Sequence, residues 1–161
     1  MAEVAVTNAS PLILLSRAGK LNLLRLAADR ILVPEPLAQE ILARGDSDAG
    51  AAAIAENDWL EVTAIEDVPD VVQMWGLGPG ESAVIALAKE RPGAEAVIDD
   101  LAGRKCAASL DIRVRGTLGI VLIAKRRNVI QNARAVLEDL LNAGMYLSRA
   151  VPDEALRRVG E

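Results

Sequence analysis

A three-layer α/β/α domain around a central, mainly parallel sheet is predicted by three features of this sequence. Strand-like and helix-like runs alternate from one end to the other, and parallel strands need such long right-handed crossovers. Glu40, Glu81, Asp99 and Asp100, with Asn8, each fall where a predicted strand meets a helix or a helix begins. Residues so far apart in sequence converge when a parallel sheet gathers its strand ends. The third feature is size: 161 residues, 52% of them hydrophobic, fit one domain, 1–161, with a single core.

Taken in order, Glu3 to Thr7 alternates around Val4 and Val6 as a short strand. Ser10-Pro11 then offers a helix cap and a first-turn proline ahead of Leu12-Ile13-Leu14-Leu15. After Gly19, Leu21, Leu23, Leu24 and Leu26 read as a second helix. A brief strand, Ile31-Leu32-Val33, stops at Pro34 and Pro36, and a third helix carries Leu37, Ile41 and Leu42 on one face with Glu40 beside that stripe. Asp46 to Glu56 is alanine-rich and helical, Leu60 to Ile65 is strand-like, and Pro69 to Pro79 is a turn-rich loop with one helical turn near Val71 to Trp75.

From Glu81, Val84, Ile85, Leu87 and Ala88 recur at helical spacing, and Ala94 to Ile98 reads as a buried strand ending in Asp99-Asp100. That pair caps a helix running to about Ser109. A strand at Ile112 to Val114 precedes a helix opened by Gly116-Thr117 and continuing to Arg127, and another helix spans Ala133 to Asn142. The tail from Met145 reads as an edge strand, with a last short helix starting at Pro152.

Composition removes several kinds of chemistry. The chain has no histidine and one cysteine, which excludes Ser-His-Asp and Cys-His catalysis and zinc sites built from His and Cys, and leaves an oxygen-ligated hard cation as the leading route. Cys106, alone among apolar neighbours, reads as a packed thiol in a reducing compartment. No apolar run is long enough to span a membrane, and Met1-Ala2-Glu3 lacks the basic flank and apolar run of a secretion signal, so a cytoplasmic protein with no membrane partner is expected.

A net charge of −5 and a pI near 4.9 argue against coating nucleic acid by charge alone. The charge is segregated, however: between Leu101 and Leu137 eight basic residues face Asp111 alone. Such a segment is either a solvated helix face or a contact for a phosphate backbone. With two Trp, one Tyr and no Phe, a platform stacking several unpaired bases is disfavoured. Gly76, Gly78 and Gly80 form no phosphate loop, because the G-K-[S/T] ending is missing and no strand directly precedes them.

Five segments in order, VTNASPLILLSRAGKLNLL, VPEPLAQEIL, GLGPGESAVIALA, AVIDD and GTLGIVLIAKRRNVI, resemble the PIN-domain family over nearly the whole chain. That family consists of small α/β metal-dependent nucleases and includes the VapC-type toxins of toxin–antitoxin pairs. The likeness is to a subfamily with an Asn/Asp-Thr/Ala-Ser-Pro-Leu opening and a Gly-Thr-Leu-Gly segment before a basic helix. The resemblance implies that Asn8, Glu40, Glu81 and Asp100 fill the metal-site positions, with Asp99 adjacent and Ser10 and Thr117 in supporting polar roles. Glu40, Glu81 and Asp100 would be the catalytic set. Asn8 departs from the pattern: most members place Asp there, and an amide coordinates without bringing charge.

The same resemblance implies an endoribonuclease using Mg²⁺ or Mn²⁺, an RNA substrate, a small antitoxin partner and a homodimer. Arg104, Lys105, Arg115, Lys125, Arg126 and Arg127 become candidate holders of the RNA backbone. Each position also has a plain structural reading: Asn8 as a turn residue, Ser10 and Thr117 as caps, Glu40 as a wet boundary residue, Asp99 or Asp100 as a cap. Glu81, in the first turn of its helix, would gain roughly 0.3–1 kcal/mol from the macrodipole without any function. Two further readings stand beside the nuclease: a catalytically attenuated PIN-fold module that binds RNA or protein, and an interaction subunit whose surplus apolar surface is buried in an interface.

Overall fold

Five parallel strands form the sheet in the order β3-β2-β1-β4-β5, in a computed structural model that describes residues 2–148 and 150–161. They are β1 (Ala2–Thr7), β2 (Ala28–Pro34), β3 (Leu60–Thr63), β4 (Glu95–Val97) and β5 (Arg113–Arg115). The central strand is β1, whose Val6 registers with Leu32 of β2 on one side and Ala96 of β4 on the other. Ala5, Val6, Leu32, Val33, Ala96 and Val97 are fully buried, as strands covered on both faces must be.

The crossovers are helical. α1 (Ala9–Arg17) and a 3-10 segment, Leu21–Leu26, link β1 to β2, and α2 (Glu35–Leu42) and α3 (Ala49–Glu56) link β2 to β3. α4 (Asp70–Gln73) and α5 (Pro79–Glu90) lead to β4, and α6 (Leu101–Ser109) leads to β5. α7 (Thr117–Arg126), α8 (Ala133–Asn142) and α9 (Ala150–Arg157) follow. α2, α4 and α6 gather around α5, while α7, α8 and the 3-10 segment gather with α1, so the sheet is the middle of three layers. α5 is the most enclosed helix, buried from Ser82 through Ala88, which is why its sequence is apolar with so little alternation.

Several sequence expectations are corrected here. The leucines after Gly19 form a 3-10 segment, ended by a return straight into β2. Leu42 is 47% exposed, because at 3.6 residues per turn it lies about 100° around α2 from Ile41 and off the face that Leu37 and Ile41 share. The tail at 145–148 is not an edge strand: Arg113–Arg115 has β4 as its partner, and residues 145–148 have no regular structure. The last helix begins at Ala150, ahead of Pro152, a residue its first turn tolerates. Residue 149 lies outside the described residues. No helix among the described residues is long and apolar enough to cross a membrane.

Candidate functional site

Strand order reverses between β1 and β4, and in open parallel sheets that reversal opens a crevice beyond the carboxyl ends of the strands. Asn8 sits there. It follows β1 directly, its backbone N–H donates to Val97 O at 2.9 Å, and its side chain, 4% exposed, makes no capping hydrogen bond to α1. A groove of about 900 Å³ opens above it, with Asn8, Ser10, Glu81, Asp99, Asp100, Arg104 and Arg115 at its polar end. Val114, Leu118, Leu122, Met145, Leu147 and Val151 form an apolar wall, with Tyr146, 90% exposed, among them. A second hollow of about 300 Å³ shares Asn8, Ser10 and Glu81 with the groove and adds Glu40 and Arg44.

Glu81 therefore stands on the rim common to both spaces. It occupies the third position of α5 and accepts a hydrogen bond from the Gly78 backbone, which favours its ionised form. Burial outweighs that bond. Together with the charges of Asp100 and Glu40, burial holds the Glu81 carboxyl above its ordinary pKa. Glu81 thus feels the charges of two acids from other segments, Asp100 and Glu40. Glu40 can approach because Gly80 has no side chain: a Cβ there would lie 2.7 Å from Leu37 Cδ1 and 2.9 Å from Glu40 Oε2.

The two adjacent aspartates part company. Asp100 is the N-cap of α6, its Oδ2 accepting from Gly103 N at 2.8 Å. Asp99 turns to a different helix. Its Oδ1 accepts from Thr117 N at 2.7 Å, and its Oδ2 accepts from Thr117 Oγ1 at 2.7 Å and from Ser10 Oγ at 3.4 Å. Neither Ser10 nor Thr117 caps its own helix: Asn8 and Gly116 occupy the N-cap positions, and both hydroxyls donate to Asp99. Asp99 thus ties α1, the end of β4 and the start of α7 together beneath the groove.

The basic residues are divided as well. Arg115 grips Glu95, 3% exposed, through two hydrogen bonds, one from Nε and one from Nη2 at 3.4 Å, so its charge is largely spent inside the sheet. Lys125 pairs with Glu161 at 3.2 Å, and that carboxylate also accepts from Ala133 N and Arg134 N at the start of α8. Lys105, Arg126 and Arg127 are not among the residues lining the groove. Arg104 is: its Nη1 donates to Ile98 O at 3.0 Å beside the acids. Sequence reasoning named Gly80 only within a glycine run that forms no phosphate loop and Gly116 only as a helix start, and it did not single out the apolar wall. Their importance lies in missing side chains and in a loop conformation, neither of which leaves a periodic signal.

Among the described residues no three acids are grouped closely enough to hold a metal ion between them. The site instead offers oxygen donors from Asn8, Glu81 and Asp100 along one groove, with Glu40 across the shared rim.

A nuclease-type α/β fold with an acid-lined groove at its switch point is the class these features define. The family model DUF3368, described as a PIN domain, matches residues 4–161, and the chain belongs to the PIN-domain family. No curated protein matches the chain. PIN domains are generally nucleases that use divalent metals.

Proposed function

We propose that this chain, one PIN domain from residue 1 to 161, is a Mg²⁺- or Mn²⁺-dependent endoribonuclease acting in the cytoplasm as the toxin of a toxin–antitoxin pair. A small antitoxin and a second copy of the chain would be its protein partners. The observation that carries the reading is Glu81, raised in pKa by burial and by the charges of Asp100 and Glu40, in a groove that also holds Asn8. Like charges held together at a strand-end crevice cost stability, and a cation relieves that cost.

The donors suit such an ion, being all oxygen and hard. Mg²⁺ commonly keeps several waters and takes only one or two protein carboxylates, so a site without three grouped acids meets its needs. Asn8, Glu81 and Asp100 would hold it, with Glu40 facing them. A divalent ion supplies an activated water and charge stabilisation for phosphodiester hydrolysis, so no side-chain base is required. The protein's own contribution is to fix the donors: Asp100 through the α6 cap, Glu81 through Gly78, and the groove's width through Asp99.

The test is cleavage of a fluorescent RNA with Mn²⁺, with and without excess chelator. Asp100→Asn, Glu81→Gln and Glu40→Gln should each lower the rate roughly a hundredfold, comparable to the larger losses seen when metal sites are perturbed. Asparagine remains a good N-cap, so Asp100→Asn should melt like the parent. Equal activity in chelator would reject the mechanism.

Asn8 favours a second reading, an attenuated PIN-fold module that binds RNA or protein. Titration calorimetry with Mn²⁺ separates the two. Heat of binding that grows about tenfold in affinity, or ~1.4 kcal/mol, in Asn8→Asp supports the enzyme, whereas no heat from either protein supports the module.

A further inference from the structure

We propose that Arg104 is the residue that grips the RNA phosphate at the acidic end of the groove, and that Gly116 is the notch that aims it; this rests on the nuclease reading. An acid-lined groove repels an RNA backbone unless a cation offsets its field locally. Among the described residues three arginines line the groove, and two of them have acid partners. Arg115 is bound to Glu95 and Arg158 to Glu154 at 2.7 Å. Among the described residues Arg104 makes no ion pair within 4.0 Å.

Its position is fixed all the same. Arg104 begins the second turn of α6, after the Asp100 cap, and its Nη1 donates to the Ile98 carbonyl at 3.0 Å. The guanidinium lies across residue 116, where a Cβ would come 2.8 Å from Nη1 and 3.1 Å from Asp99 Oδ1. Only glycine leaves that path clear. A guanidinium has five N–H donors in a planar fork, and holding one nitrogen on a carbonyl leaves the rest of the fork for a phosphate, with little side-chain freedom left to lose. Lys105, the next residue, is exposed and lies off the groove, which makes it the natural control.

The experiment measures binding apart from cleavage: fluorescence polarisation of a labelled single-stranded RNA oligonucleotide in chelator, over a KCl series. Arg104→Gln should weaken binding about tenfold and flatten the dependence of log Kd on log salt by roughly 0.7, the share of one phosphate contact on a single strand. Gly116→Ala, which retains the arginine but blocks its path, should lose a similar amount, and Arg104→Lys should recover the salt slope without the full affinity. Lys105→Gln should stay within about twofold.

Arg104→Gln or Gly116→Ala binding like the parent, with each variant melting as a folded protein, overturns the assignment, as does a parent that binds no RNA. The two readings fail separately. Arg104-dependent binding without Mn²⁺-dependent cleavage keeps the grip and removes the nuclease, whereas cleavage with Arg104-independent binding does the reverse.

Discussion

At position 81 a carboxylate is drawn two ways, toward ionisation by the Gly78 backbone and away from it by burial and the charges of Asp100 and Glu40. Its folded-state pKa lies above the unfolded value, so the charge costs stability at pH above the folded pKa, and the cost is gone below the ordinary glutamate value of about 4.3. Without divalent cation, Glu81→Gln should therefore raise Tm at pH 7 to 8, and its advantage should shrink as pH falls through the raised folded pKa toward the ordinary glutamate value of about 4.3. Thermal melts across pH test this, since each ~1 kcal/mol registers as about 2–4 °C in a chain this size. A Tm lower than the parent's at pH 8 would show that the acids do not strain one another. Mn²⁺ should reverse the order by stabilising the parent more than the variant.

Among the elements, α7 has the most unusual start, because its cap comes from another segment. Asp99 takes both the backbone N–H and the hydroxyl of Thr117, and through Ser10 it also holds α1. Asp99→Ala should cost about 1–3 kcal/mol by urea unfolding, the penalty for stranding buried donors, and should lower cleavage as α7 and the Arg104 notch shift. Loss of metal binding with stability unchanged would instead make Asp99 a ligand. At the α2–α5 contact, Gly80→Ala meets only the ends of flexible side chains, Leu37 Cδ1 and Glu40 Oε2. It should displace Glu40 and reduce activity more than stability, a difference that paired kinetics and melts resolve. Capping residues were visible in the sequence as residue types, but not their targets: Asn132 caps α8 locally, and the predicted span Ala133–Asn142 matches, whereas Asp99 reaches eighteen residues ahead.

For the molecule as a whole, α5 is the axis on which the layers close, contacting β1, β2, β4, α2, α4 and α6. Ile85, 0% exposed at its centre, should cost about 2–5 kcal/mol as Ile85→Ala and about 0.5–1.5 as Ile85→Val, measured by urea unfolding. Val71, Met74 and Trp75, on and just after α4, are 41%, 85% and 40% exposed, an apolar face that the proposed homodimer could cover. Light scattering should return twice the 17.0 kDa chain mass if it does, and Met74→Glu should return the monomer.

The sequence by itself determined the alternation of strands and helices, the parallel sheet and the Asp99-Asp100 pair beyond β4, because periodicity, caps and breakers are local and need no partner. Glu40, by contrast, lies in the last turn of α2 and Glu81 in the first turn of α5. Asn8 and Asp100 follow β1 and β4, the strands between which the order reverses, and Glu81 opens α5, the helix that leads into β4, so the three line one groove. Only the tertiary structure decided which acid does what. Asp99 and Asp100 are neighbours in the chain, yet one closes α7 and the other α6. Likewise, the basic run at 104–127 looked uniform until folding gave Arg115 to Glu95 and Lys125 to Glu161 and left Arg104 in the groove. A side chain's charge is written in the sequence, but what offsets that charge is set by whatever the fold places beside it.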